Sequence, residues 1–138
     1  LERYSWLDDY PELYEDDDSL EERLGKYSEY AAFNSSDEGQ AFQLAAYDFS
    51  KAFFSKNTEV IKSYLLNPNK DFYEYDLNYG LGDIRRLWLK FDPEDVKDGS
   101  VSAQYEFILN GEDSYTYLQL NMKKINNAWK IEFYGLEK

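Results

Sequence analysis

Apolar residues along the chain fall into two regimes. From about residue 36 to 66 they recur every three or four positions, the period of a helix with one buried face; from about 84 onward they alternate, the period of half-buried strands. Ser35 or Ser36 is expected to cap the first clear helix, on which Ala41, Phe42, Ala45, Phe49, Ala52 and Phe53 form an apolar stripe reaching Phe54 or Ser55. Thr58 is expected to cap a shorter helix bearing Val60, Ile61, Tyr64 and Leu65, stopped at Asn67-Pro68-Asn69. Upstream, Ser19 and Glu22 form a capping box for a helix over 20–33.

Between these regimes, Tyr73, Tyr75, Leu77 and Tyr79 alternate, which fits either an edge strand or an extended arm, and Gly80 and Gly82 end the stretch. Residues 84–91 read as a strand, and 92–99 as a long turn. Val101, Ala103, Tyr105, Phe107 and Leu109 share one strand face, and Asn110-Gly111 makes a corner. Leu118, Leu120 and Met122 share a face of the next strand. Asn126-Asn127 turns into the last one, whose inward face is expected to be Trp129, Ile131 and Phe133. Helices first and an antiparallel meander after them predict an α+β fold, with N-terminal helices packed on a curved antiparallel sheet of about four strands.

Charge divides the chain differently. The first thirty residues carry 11 acidic and 3 basic side chains, interleaved with Tyr4, Trp6, Tyr10 and Tyr14. Residues 1–35 therefore read as an acidic, aromatic-containing extension with a short helix, and 36–138 as one α+β domain. The extension fits either an arm that packs its aromatics on the domain or a floppy tail. The chain's formal net charge is -13, which repels nucleic-acid phosphates and anionic headgroups, so nucleic acid is not an expected partner.

Composition removes further chemistry. The 138 residues include no cysteine and no histidine, which excludes thiol catalysis, Cys/His zinc sites and Ser-His-Asp triads. Only an all-oxygen metal site is left. Asp16-Asp17-Asp18 lacks the alternation and glycine of a calcium loop, and Asp92, Glu94, Asp95 and Asp98 with Gly99 fall out of phase with one, so no metal or other cofactor is expected. Gly80-Leu81-Gly82 lacks the rest of a phosphate loop and reads as a turn. Asn34-Ser35-Ser36 matches a glycosylation sequon. No apolar run approaches the length of a membrane helix, and no signal peptide is recognisable. A start at Leu1 rather than methionine is expected of a trimmed or processed chain.

With 14 Tyr, 9 Phe and 3 Trp, the aromatic content is high, and fits either a sheet-rich core and surface or a binding face or cavity. Tyr64, Trp88, Tyr105, Tyr117 and Trp129 are the candidates to line a pocket between helix and sheet. Asp48 and Glu106 are the candidate general bases. Both fall off the apolar stripes, and acid–base chemistry requires at least one to be buried.

Residues 52–57 and 60–65 resemble the helix pair that opens many domains of the nuclear-transport-factor-2-like superfamily, with its cystatin-like cone fold. Tyr117-Leu118-Gln119-Leu120, Lys123-Lys124, the Asn126-Asn127 turn and Trp129-Lys130-Ile131 resemble that superfamily's last hairpin. The closing Phe133-Tyr134-Gly135-Leu136-Glu137 is similar to small extracytoplasmic domains and lipoproteins of Gram-positive bacteria. The resemblance covers about residues 40–138. Membership of that fold would not by itself choose a function; the missing catalytic residue types, the acidic surface, the aromatic surplus and the N-terminal arm point to a non-catalytic extracytoplasmic binding or interaction domain, at the bacterial surface or secreted, whose partner is a protein, a peptide or a cell-envelope component. It also leaves room for a sensory ectodomain. Membrane association would come only through an anchor ahead of Leu1. The alternative it implies is a small-molecule isomerase or lyase using a cavity carboxylate and a tyrosine. The superfamily's dehydratases use a His-Asp pair, which this chain lacks.

Overall fold

A computed structural model describes residues 32–137. Residues 32–35 are helical, and the rest of the helix expected over 20–33, with the acidic block, lies outside the described residues. Helix α1 spans Asp37–Phe54, α2 Thr58–Tyr64 and α3 Pro68–Asp71. Strand β1 (Ile84–Lys90), helix α4 (Pro93–Asp98) and strands β2 (Ser100–Leu109), β3 (Thr116–Ile125) and β4 (Ala128–Glu137) complete the chain. The strands form one curled antiparallel sheet in the order β1-β2-β3-β4, so the fold is α+β as expected.

Ser36 is the cap of α1. Its hydroxyl accepts the Gly39 amide at 3.0 Å, and Asp37 and Glu38 favour the positive end of the helix. Gly39 sits where a Cβ would lie 2.1 Å from the Phe33 carbonyl oxygen, so the incoming chain can cross here only over a glycine. The buried stripe is rotated from the expected one. Phe42, Ala46, Phe49 and Phe53 form it, while Ala41 is exposed and Ala45 half-buried. Two polar residues share the stripe: Gln43 donates to the Asn34 side chain, and the Ser50 hydroxyl donates to the Tyr47 carbonyl at 2.8 Å. Asn34 is itself buried, which removes the sequon from the surface.

Asn57, not Thr58, caps α2, through its side-chain oxygen and the Val60 amide. The stop at Asn67-Pro68 begins the short α3, with Pro68 in its first turn. Residues 92–99 are likewise not a plain turn. Asp92 accepts the Glu94 amide, Pro93 opens α4, and Gly99 closes it in the left-handed region at φ 79°. Residues 72–80 form no strand but an extended strap beside β4. The Leu66 amide donates to the Ile131 carbonyl, and the Tyr134 hydroxyl both accepts from the Tyr73 amide and donates to the Tyr73 carbonyl, each at 2.8 Å.

The inward face of β2 and β3 is as expected. Val101, Ala103, Tyr105 and Phe107 are buried, as are Leu118, Leu120 and Met122. Strand β4 departs from strict alternation. Asn121 pairs with Phe133 but Met122 pairs with Ile131, leaving Glu132 as an extra residue. One inserted residue inverts the phase of everything after it. Trp129 and Ile131 therefore point inward, Phe133 turns outward with 52% exposure, and Tyr134 takes the inward place. The core is an aromatic mesh: Phe42 stands edge-on to Trp129 at 5.1 Å, Phe49 to Tyr134 at 5.2 Å and Phe54 to Phe107 at 5.0 Å.

Two substitutions check this arrangement by urea unfolding. Phe107→Ala is expected to cost about 3–5 kcal/mol, whereas Phe133→Ser stays within roughly 0.5–1 kcal/mol of the parent. Gly39→Ala is expected to destabilise despite alanine's helix advantage of about 1 kcal/mol, because the new methyl meets backbone.

Candidate functional site

Three of the seven sequence candidates meet in one place. Asp48 on the outer side of α1, Tyr64 at the end of α2 and Trp129 at the start of β4 line an open groove of about 560 Å³. Ala41, Leu44, Ala45 and Val60 make it apolar on the helix side, and the β3–β4 turn contributes Asn127 and the start of β4 Lys130. Leu44 lies off the helix's buried stripe and is 46% exposed. Asn126 and Asn127, at φ 51° and 65°, supply the two left-handed residues of a tight hairpin, and so bring Trp129 and Lys130 up beside the helices.

The polar groups of the groove are already ordered. The Tyr64 hydroxyl donates to Asp48 Oδ2 at 3.1 Å, and Lys130 Nζ donates to the Ser63 carbonyl at 2.9 Å. Partial burial, then the Asp48 charge and the hydrogen bond to it, push the Tyr64 phenol up to about 12. Tyr64 is thus a neutral donor at any physiological pH. Trp129 is 5% exposed, and its Nε1 has no hydrogen-bond partner among the described residues. A buried unpaired donor is costly.

The other candidates lie elsewhere. Trp88, Glu106 and Tyr117 are adjacent across β1, β2 and β3 on the sheet face turned away from α1. Glu106 is not solvated as its position off the stripe suggested. It is 7% exposed, paired with Lys90 Nζ at 2.6 Å, and accepts Trp88 Nε1 at 2.8 Å. A carboxylate held by an ammonium and an indole N–H is tied into the sheet. Asp48, the other candidate base, is exposed. Tyr105 is a core residue at 3% exposure. The five aromatics do not form one pocket between helix and sheet, because consecutive strand positions send Tyr105 inward and Trp88 and Tyr117 outward.

The acidic turn around Asp92 serves α4. Asp92 caps it, and Glu94 pairs with Lys97 at 3.2 Å. Among the described residues no three His, Cys, Asp or Glu side chains gather as metal ligands would, and no helix is long and apolar enough to cross a membrane. Asp16-Asp17-Asp18 lies outside the described residues. Gly80-Leu81-Gly82 enters a single tight turn in which Asp83 accepts the Gly80 amide. At the β4 edge, a Cβ on Gly135 would sit 3.2 Å from the Tyr75 hydroxyl and 3.3 Å from the Phe133 ring, with Tyr73 against Tyr75 at 4.8 Å.

Comparison with family models, curated proteins and solved structures finds no match to this chain.

The Asp48–Tyr64 pair has a measurable signature. The folded phenol lies above its ordinary value of 10.0, so its contribution to stability is complete below pH 10 and disappears as pH rises through about 12. Ultraviolet titration should show one tyrosine ionising near pH 12 in the parent. In Asp48→Asn that ionisation should fall part of the way back, since burial, the larger cause, is untouched.

Proposed function

We propose that this chain is a non-catalytic binding domain of the nuclear-transport-factor-2-like cone fold, and that it binds its ligand in the groove between α1, α2 and the β3–β4 turn. The helices-then-sheet order, the long helix across a curled four-stranded antiparallel sheet and the closing hairpin support the fold reading. The resemblance of the last strand carries the extracytoplasmic placement. The observation that carries binding is the groove itself: an open apolar floor of ligand size, with charged and polar groups at its walls.

The same geometry favours binding over catalysis. Asp48 is exposed to water rather than enclosed in a dry cavity, and its tyrosine neighbour is held as a fixed donor. Glu106, the more buried carboxylate, is neutralised by Lys90.

A fragment screen read by amide and indole chemical shifts tests this. Hits are expected to move Ala45, Tyr64 and Trp129 together. Leu44→Asp should remove those shifts while changing stability by no more than about 0.5 kcal/mol, since Leu44 is exposed. Hits confined to the outer sheet face around Trp88 and Tyr117 would move the site there.

A further inference from the structure

The outer face of the sheet takes no part in the groove, yet one end of it is deeply buried. Helices α1, α2 and α4 bury Phe42, Ile61 and Val96 in one core with Leu87, Leu89, Tyr105 and Phe107. Trp88 and Ile108 alternate with those strand residues, so they face outward and stand outside that core. They are nevertheless only 8% and 5% exposed. Further along the same face of β2, Gln104 is half-buried and Ser102 exposed, so the cover is local to one end. Tyr115 sets its ring edge-on to Trp88 at 4.9 Å but is itself 37% exposed. Among the described residues β1 is a border strand, paired with β2 alone. A tryptophan on such a border keeps one flank in water unless something lies across it.

Two observations bear on what that is. The first is where the described chain begins. The Phe33 ring lies 6.2 Å from that of Phe91, the residue that follows β1, so the chain ahead of residue 32 arrives beside this border strand. The seven residues of β1 span about 23 Å, a distance that about 15 residues of helix or 7 of extended chain would cover, and residues 1–31 exceed both. The second is charge. In a chain of net charge -13, β1 carries Arg85, Arg86 and Lys90 and no acidic residue. Glu106 balances Lys90, and the exposed Arg85 donates to a neutral acceptor, the Glu112 carbonyl, at 3.2 Å. The first thirty residues hold 11 acidic and 3 basic side chains, with Tyr4, Trp6, Tyr10 and Tyr14 among them. That combination suits a basic strand beside an aromatic patch. A second copy of β1 would instead set its own cations against these.

We infer that the chain's own residues 1–31 dock across the outer face of β1 and β2, with aromatic side chains from 4–14 on Trp88, Ile108 and Tyr115 and acidic ones along β1. The contact is intramolecular, and its charged part weakens with ionic strength.

The full chain has no cysteine, so Ser5→Cys gives a single site for a nitroxide. The Trp88 indole and the Ile108 and Tyr115 amides are expected to lose more signal than Leu44 and the Trp129 indole in the groove, measured against the reduced label. Replacing Asp16, Asp17 and Asp18 by asparagine in the labelled chain should restore part of that signal. Without the label, Trp6→Ser with Tyr10→Ser should speed hydrogen exchange at the Trp88 indole and leave the Trp129 indole unchanged. Signal loss that does not favour the outer face, with Trp88 exchange unaltered by the two serines, would overturn the inference. Signal loss on an unlabelled chain mixed with labelled chain, equal to that within one chain, would overturn it in favour of a second copy. A loss unchanged by the three asparagines would overturn the charge pairing. Each of these reads the outer face, so failure here leaves the groove's proposed role standing.

Discussion

The structure depends on one burial: the phenylalanine stripe of α1 laid across the concave face of a curled sheet. A four-stranded sheet with one apolar face cannot be stable in water until that face is covered, and Phe42, Phe49, Phe53 and Phe54 cover it from a single helix. The position of α1 then dictates the rest. Its start is pinned by Gly39 beneath the Phe33 carbonyl, and its end by Lys56, whose ammonium reaches the Leu77 carbonyl of the strap. With the helix fixed at both ends, its outward side carries Leu44 and Asp48 to the place where α2 and the β3–β4 turn converge.

Much of this was legible in the chain, and the rest was hidden for definite reasons. The Ser36 cap and the phenylalanine spacing foretell α1, and the alternation of Val101 to Leu109 and Leu118 to Met122 foretells the central strands, because period and burial coincide there. Helix α4 was hidden because it buries little but Val96 and Pro93, so no period exists to read. Its signals were chemical instead: Asp92 before a proline, and a glycine six residues on. Phe133 was placed on the wrong face because a bulge at Glu132 leaves no trace in residue type.

The site follows the same division. Asp48, Tyr64 and Trp129 could each be singled out by type, but they lie on three elements, and their meeting is a product of tertiary packing. Glu106 was expected in water because alternation places it off the core face. Its burial comes from register, which sets Trp88 directly across from it and brings Lys90 of the same strand within reach. Leu44 and Lys130 carry no signal of their own in the sequence, because one apolar residue on a polar helix face, or one lysine after a turn, is ordinary in isolation.

The double hydrogen bond between the Tyr134 hydroxyl and the Tyr73 peptide has a consequence for the behaviour of the whole molecule in solution. Among the described residues strand β4 is the last of its sheet, and its outer row of amides and carbonyls is the kind of border to which a strand from another molecule can add. A phenol of β4 that both gives and takes a hydrogen bond holds both polar groups of the Tyr73 backbone in the strap beside it. Together with the Leu66 amide on Ile131, it keeps the chain's own residues 65–75 against that border. The bulge that turns Tyr134 inward thus also fixes where the chain's own strap lies against that border.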